Sequence, residues 1–190
     1  VNTFSGGNSS GGGIALSNTA AVLALGGVSQ SGSGDLVISN AGSMTLTNAV
    51  SNNGGTLKLE SSNGLTLDSG SSVTVLGAGH QMVLATSVFT NNAGASALSA
   101  PDGRWLVYSA DPANDVRGGL AYNFKHYGQV YAGGSYSGPG TGNGFLYSVT
   151  PSLSASLIGT AQRNYDGTTD ATLTAGNFSI AGTIDGDMVV

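Results

Sequence analysis

The stretch that decides the fold is residues 44–67, which read MTLTNAVSNNGGTLKLESSNGLTL. It contains three apolar–polar–apolar triplets, at 44–46, 57–59 and 65–67. Because side chains alternate between the two faces of a β-strand, each triplet predicts a short strand whose outer residues share one face. Glycine and asparagine between the triplets, as in Asn53-Gly54, are typical of turns. The stretch therefore predicts short strands joined by tight corners.

The triplets recur with a fixed step. Leu23, Met44 and Leu65 are evenly spaced along the chain, and Leu36 and Leu57 are separated by the same interval. A step near this length with two or three strands per period is typical of a solenoid, in which each repeat stacks on its neighbours. Hairpins in a β-sandwich are the alternative, but their strands have no reason to keep one step. We therefore expect an all-β fold, a right-handed parallel β-helix with coils of about 21 residues.

In this geometry the Leu, Met and Ile columns lie inside the coils, at the strand spacing of about 4.8 Å. Thr45 and Thr66 then stack outside as a short ladder. The step shortens after Leu67, since Met82 and Leu84 follow Leu65 and Leu67 by less than the interval that separates the earlier triplets. We expect the coils to become irregular or to end there.

Composition divides the chain into three segments. Residues 1–100 contain four charged and two aromatic side chains, whereas residues 101–150 contain nine aromatic ones. Residues 151–190 are again rich in threonine and alanine, and Pro101 and Pro151 stand at the two junctions. We predict β-helix coils over 1–100, a small aromatic-rich capping and connecting β module that is not solenoidal over 101–150, and a partial β domain over 151–190.

Strands are predicted in the aromatic segment at 103–108, 120–124 and 144–149. In the first of these, Trp105 and Val107 share one face. Because Val107 is apolar, we expect this face to be buried and Arg104 and Tyr108 to lie nearer solvent.

The composition excludes several classes of function. Gly, Ser, Thr and Asn supply 90 of the 190 residues, and charged residues only 8%. Five basic against ten acidic residues disfavour a nucleic-acid partner, which requires clustered Lys and Arg. No run approaches the roughly 20 apolar residues of a membrane span, so we expect no membrane insertion. Cysteine is absent, which excludes disulfides and thiolate metal sites, and the start at Val1 is expected of an excised fragment.

Catalytic and metal motifs are weak. His80 and His126 are far apart in the sequence, and the chain has no Gly-x-Ser-x-Gly elbow, dinucleotide-binding motif or phosphate-binding loop. A β-helix polysaccharide lyase or hydrolase would need paired carboxylates, and residues 1–100 offer only Asp35, Glu60 and Asp68. Glu60 is expected to face outward beside Lys58 as a solvated pair. We therefore predict no catalytic residues, no cofactor and no enzyme activity.

Two segments weakly resemble calcium-binding sequences. Residues 32–36, GSGDL, resemble one calcium-binding nonapeptide, but that mechanism needs tandem copies. Asp185-Gly186-Asp187 offers two carboxylates to a hard cation, although a turn is the simpler interpretation. We predict no metal site.

The aromatic segment leaves two interpretations open. Flat aromatic side chains suit sugar rings, so a glycan-binding module is the alternative function, with contacts from Tyr108, Tyr127, Tyr131 and Tyr136. Aromatic residues at strand spacing are also typical of a β core, and this is the interpretation we favour.

Two stretches resemble the filamentous-haemagglutinin-like exoproteins: residues 101–109, PDGRWLVYS, and residues 142–147, GNGFLY. Residues 165–169, YDGTT, with 185–187, DGD, resemble the opening of the YDG domain that such proteins often carry in series. The similarity extends over about residues 90–190. Against the pattern of that family, we expect a fragment without the secretion domain and with only the opening of a YDG domain, which stops at Val190.

The resemblance implies a structural and adhesive segment of a large secreted bacterial surface protein. Its full-length form would be exported by two-partner secretion, with an outer-membrane transporter as partner. The implied location is extracellular, at the bacterial surface, and the implied ligands are host glycans or biofilm polysaccharides. No catalytic residue is carried over, because the 165–167 motif corresponds to a structural turn.

Overall fold

The computed structural model of the chain describes residues 1–160, 164, 167, 169 and 172–188. The fold is an all-β parallel solenoid, as the sequence predicts. The chain divides into two compact units, Val1–Val149 and Thr150–Val190.

The first unit contains fifteen described strands in two sheets and one short 3₁₀ helix, Pro112–Asn114. The strands are β1 (Thr3–Asn8), β2 (Ile14–Asn18), β3 (Val22–Gln30), β4 (Leu36–Asn40), β5 (Ser43–Leu46), β6 (Ala49–Asn52), β7 (Leu57–Ser61), β8 (Gly64–Leu67), β9 (Ser72–Val75), β10 (Gln81–Ala85), β11 (Val88–Asn91), β12 (Leu98–Ser99), β13 (Arg104–Ser109), β14 (Phe124–Tyr127) and β15 (Gly144–Tyr147).

Each middle coil contributes three strands, for example β4, β5 and β6, followed by β7, β8 and β9. The first strand of each coil belongs to a seven-stranded parallel sheet in the order β14-β15-β13-β10-β7-β4-β2. The other two belong to an eight-stranded parallel sheet that branches at β3, whose first half pairs with β5 and whose second half pairs with β6. The short strands therefore stack in parallel, coil on coil, rather than form hairpins.

The predicted columns are confirmed. Leu23 pairs with Met44 and Met44 with Leu65, while Leu36 pairs with Leu57 in the seven-stranded sheet. All five side chains are fully buried. Because side chains alternate along each strand, these inward-facing positions form apolar columns in the core.

Outside the core, Thr45, Thr66 and Thr90 form consecutive rungs of an outward-facing threonine column. All three are half-buried. The predicted ladder is therefore present and extends one coil further than expected.

The coils do not end after Leu67, and the irregularity expected there is a longer step rather than a shorter one. Met82 and Leu84 do not follow Leu67 in its column; they pair with Leu57 and Leu59 in the other sheet. The partner of Leu65 is Phe89. The intervals from Leu57 to Met82 and from Leu65 to Phe89 are both longer than the interval from Met44 to Leu65, so the step lengthens instead of shortening. It lengthens because extra residues enter the corners between strands, where no ladder fixes their number.

The aromatic segment continues the solenoid, which corrects the prediction that residues 101–150 are not solenoidal. β13 pairs with β10 in parallel register, so Trp105 continues the column of Met82. The chain then forms β14 before β15, and β15 enters the sheet between β13 and β14. The strand expected at 120–124 lies instead at Phe124–Tyr127.

Aromatic rings fill the core of the last coils. Trp105 is 2% exposed and contacts Phe145 edge-on, with ring centroids 5.3 Å apart. Phe145 stacks on Tyr147, and the Arg117 guanidinium lies 5.4 Å from the Phe145 ring centroid. The predicted burial of Trp105 and Val107 is confirmed.

Buried amides hold the corners of the coils, which the sequence pattern did not reveal. Asn40 Nδ2 donates to the carbonyl oxygens of Ala20 and Ser43, at 3.0 and 2.7 Å. Asn91 Nδ2 likewise donates to the Gly94 and Arg117 carbonyls. These side chains satisfy backbone groups that leave the ladder at a turn, so their burial does not leave a polar group unpaired.

The second unit contains the antiparallel pair β16 (Ser154–Leu157) and β17 (Phe178–Ala181), with a 3₁₀ helix at Ala175–Asn177. It begins at Thr150, next to the boundary predicted from Pro151. Tyr165 and Asp166 of the YDG-like motif lie outside the described residues.

The register predicts unequal effects of two adjacent substitutions. Leu67→Asp places an unpaired carboxylate in the core and is expected to cost several kcal/mol of unfolding free energy. Thr66→Asp, on the outer face, is expected to cost much less. Denaturant unfolding of both variants measures the difference, and equal losses would contradict the register.

Burial of the single tryptophan predicts blue-shifted emission that resists quenching by iodide. Trp105→Ala removes a ring packed against Phe145 and is expected to cost about 3–5 kcal/mol of unfolding free energy. Red-shifted, readily quenched emission from the folded chain would contradict this placement.

Candidate functional site

A long loop covers part of the outer face of the seven-stranded sheet. We call residues 128–140 of this loop the strap. Beneath it lies a second apolar cluster, distinct from the core inside the coils, formed by Val83, Ala85, Leu106, Tyr108 and Leu146. Since these strands are apolar on both faces, they need a cover on the outside as well as a core on the inside.

Two cations fasten the strap to the sheet. Lys58 Nζ donates to the Gly133 carbonyl at 3.3 Å and lies 5.4 Å from the Tyr131 ring centroid. Arg104 Nη2 donates to the Tyr136 carbonyl at 2.8 Å. The nearby Tyr131 hydroxyl raises the pKa of Lys58, although partial burial opposes the shift.

The expectation that Tyr108 lies nearer solvent is wrong. Its side chain is 6% exposed, and its ring lies 5.0 Å from that of Tyr131, centroid to centroid. Burial raises the pKa of the Tyr108 hydroxyl. The strap covers this outer face, and the alternation of side chains within β13 does not predict such a cover.

The other tyrosines proposed as glycan contacts lie in different surroundings. Tyr131 and Tyr136 are half-buried in the strap, and Tyr136 stacks on Phe124 with centroids 5.9 Å apart. Tyr127 packs toward the inner core, where it stacks on Tyr147. The structure therefore brings Tyr108, Tyr131 and Tyr136 together around the strap and places Tyr127 elsewhere.

One edge of the strap walls a groove of about 570 Å³ on the outer face of the seven-stranded sheet. The groove crosses the ends of successive strands. Its lining is mostly hydroxyl and amide side chains, with Gln129, Val130 and Tyr131 of the strap on one side.

The floor of the groove contains one outward-facing column. Ser17 pairs with Ser39, Ser39 with Glu60, Glu60 with Ala85, and Ala85 with Tyr108. The sequence predictions include Glu60 only as one half of a solvated pair with Lys58, and they do not include this column. The spacing from Ser17 to Ser39 to Glu60 follows the coil step, so the same periodicity that locates the core columns could have located it.

Glu60 is the charged side chain of this floor. Its Oε1 lies 3.5 Å from Lys58 Nζ, which confirms the expected pair. The Lys58 ammonium also contacts the strap, so this ion pair joins the groove floor to the groove wall.

Three of the remaining candidate polar residues, Asp35, His80 and His126, have structural contacts. Asp35 Oδ1 accepts the Thr56 amide at 2.8 Å, and His80 Nδ1 lies 3.0 Å from the Leu76 carbonyl. His126 Nδ1 contacts the Tyr136 hydroxyl, which donates to the Pro139 carbonyl. Within residues 1–160, 164, 167, 169 and 172–188, no group of three or more His, Asp or Glu side chains is arranged to hold a metal ion.

Asp115 is a half-buried carboxylate that the sequence did not predict as a site residue. Its Oδ1 accepts the Phe89 amide at 2.8 Å, and its Oδ2 accepts the Ser109 hydroxyl at 2.5 Å. The next residue, Val116, bridges to Thr90 as an added rung beside β11. Burial raises the pKa of Asp115, and its two hydrogen bonds oppose the shift.

Comparisons with protein-family models, with curated proteins and with solved structures found no match to this chain. Among the described residues there is no helix with the length and apolar character that a membrane crossing requires.

The Asp115 environment predicts a pH-dependent stability. Because the folded state binds this proton more tightly than the unfolded chain, its contribution to stability falls as pH rises from the ordinary aspartate pKa through the raised folded value. Asp115→Asn keeps hydrogen-bonding groups and removes the charge. We expect this variant to gain stability relative to the parent chain as pH rises through that window, in denaturant unfolding.

A second variant tests the cause. Ser109→Ala removes a hydrogen bond that favours the ionised carboxylate, so its loss of stability with rising pH should be steeper than in the parent. A stability difference between parent and Asp115→Asn that does not change with pH would contradict the assignment.

Proposed function

We propose that this chain is a structural and adhesive segment of a large secreted bacterial surface protein of the filamentous-haemagglutinin-like type. The resemblance of residues 101–109 and 142–147 to that family supports the proposal. The parallel solenoid, which is the fold that the resemblance implies, is the observation that carries it.

The solenoid suits a shaft because its coils repeat one contact. Each coil bonds to the next through parallel ladders on the sheets and through buried columns such as Leu23, Met44 and Leu65. Because each repeat contacts only its neighbours, a shaft can be lengthened by further coils without a change in the core of the existing ones. Such a shaft holds a binding surface away from the cell.

The contacts of three acidic side chains favour a non-catalytic role. Glu60 pairs with Lys58, Asp35 accepts a backbone amide, and Asp115 is enclosed by two donors. Each of these carboxylates serves the fold. Paired carboxylates for glycoside cleavage would need one proton donor and one base facing a common substrate.

Export and location belong to the same proposal. The resemblance of residues 101–109 and 142–147 to secreted exoproteins is the observation that supports this part. The proposed partners of the full-length protein are an outer-membrane transporter and, on the outside, host or biofilm polymers.

Attachment tests the adhesive role. We expect non-adherent bacteria that display this chain to attach to host-cell layers or to biofilm polysaccharide more than bacteria that display Leu67→Asp at equal surface density. The variant is the matched control because it disrupts the coils at a buried position.

Equal attachment of the two strains, or attachment of neither, would contradict adhesion through the folded chain. Release of reducing sugar ends from the polysaccharide by the purified chain would contradict the non-catalytic role.

A further inference from the structure

We propose that the strap-walled groove binds an extended, uncharged glycan. This site rests on the adhesive part of the proposed function and gives it a ligand class, whereas the shaft role does not depend on it. With a volume of about 570 Å³ the groove is within the range of small-ligand sites. It is concave because the strap stands above the sheet on one side.

The floor offers hydrogen-bonding groups at a regular repeat. Ser17, Ser39 and Glu60 occupy consecutive strands of one outward column, so they are separated by about 4.8 Å per strand. An extended glycan presents hydroxyl groups on each successive ring. A chain lying along the solenoid axis can therefore meet one strand after another.

The wall offers apolar surface beside these groups. Tyr108 and Tyr131 line the groove, and Val130 on the strap is 76% exposed. A sugar ring has an apolar face of C–H groups and a rim of hydroxyls. The tyrosine and valine surface can contact the apolar face of the ring, and the hydroxyl and amide side chains that make up most of the lining can bind its rim.

Charge selects among glycans. Glu60 is the single charged residue among the described residues that line the groove, and no lysine or arginine lines it. Lys58 neutralises Glu60 from outside the lining, at 3.5 Å. A polyanionic chain would place its negative charges near the Glu60 carboxylate, and no cation in the lining would compensate them. An uncharged chain loses no hydration of charged groups of its own when it binds.

The site differs from the tyrosine surface that the sequence suggested. Tyr127 and Tyr136 do not line the groove, and Tyr108 lies buried at the apolar end of the floor column rather than as an exposed platform. The groove residues come mainly from the early coils, for which the sequence predicts only a shaft.

The experiment titrates the isotope-labelled full chain with three linear hexasaccharides and follows its amide NMR signals. Cellohexaose and chitohexaose are the uncharged probes, and hexagalacturonate is the anionic control. We expect saturable shifts around Ser39, Glu60 and Val130 with at least one uncharged probe, at a Kd of about 1 mM or tighter. The anionic probe should bind at least about tenfold more weakly.

A matched pair of substitutions locates the site. Ser39→Tyr fills the groove from the outer face of β4, and Thr45→Tyr adds the same side chain to the outer face of β5 in the same coil. We expect the first to weaken binding at least about tenfold and the second to leave it unchanged. Ser17→Tyr, at an exposed position of β2, gives the same test if Ser39→Tyr does not fold.

Four results would overturn the proposal: no saturable shift with either uncharged probe, preference for hexagalacturonate, equal weakening by the groove variant and Thr45→Tyr, or shifts confined to Tyr127 and Tyr136. None of them would bear on attachment by the displayed chain to a polymer of another class.

Discussion

The stacking of apolar side chains in register from coil to coil is the constraint on which the rest of this structure depends. Since side chains alternate in a strand, a slip of one residue would turn every buried leucine toward solvent. The register is therefore fixed on the strands, while the corners are free to vary in length. This explains why the interval in sequence is longer from Leu65 to Phe89 than from Met44 to Leu65 without loss of the column.

The same register orders the outer surface. Because side chains alternate, a column inside the coils implies a second column on the outer face. The outer column that runs from Ser17 through Glu60 to Tyr108 changes from polar to apolar side chains along the solenoid axis. Where it becomes apolar, the strap covers it. Lys58 lies at this transition, where its ammonium contacts both Glu60 and the strap. The groove therefore results from the fold, because it lies where the strap ends and leaves the polar part of the outer column uncovered.

Periodicity predicted the core of the early coils because the triplets that share a step also share a column. It failed at Met82, since a short spacing from Leu65 suggests a shortened coil when the true partner is Leu57. Alternation indicates which face a residue occupies but not which strand lies beside it once corners differ in length. The insertion of β15 between β13 and β14, and the contact of Lys58 with the distant Gly133, depend on such non-local pairing. The groove was missed for the same reason, although its serine and glutamate positions follow the coil step.

Spin labels on the threonine column test the stacking most directly, because a chain without cysteine accepts labels only at introduced sites. Thr45→Cys with Thr66→Cys places two labels one rung apart, and Thr45→Cys with Thr90→Cys places them two rungs apart. The parallel register predicts strong dipolar broadening in the first pair and weaker but measurable broadening in the second, since each rung adds about 4.8 Å between the backbones. Absence of broadening in the first pair, or stronger broadening in the second, would contradict in-register stacking of the coils.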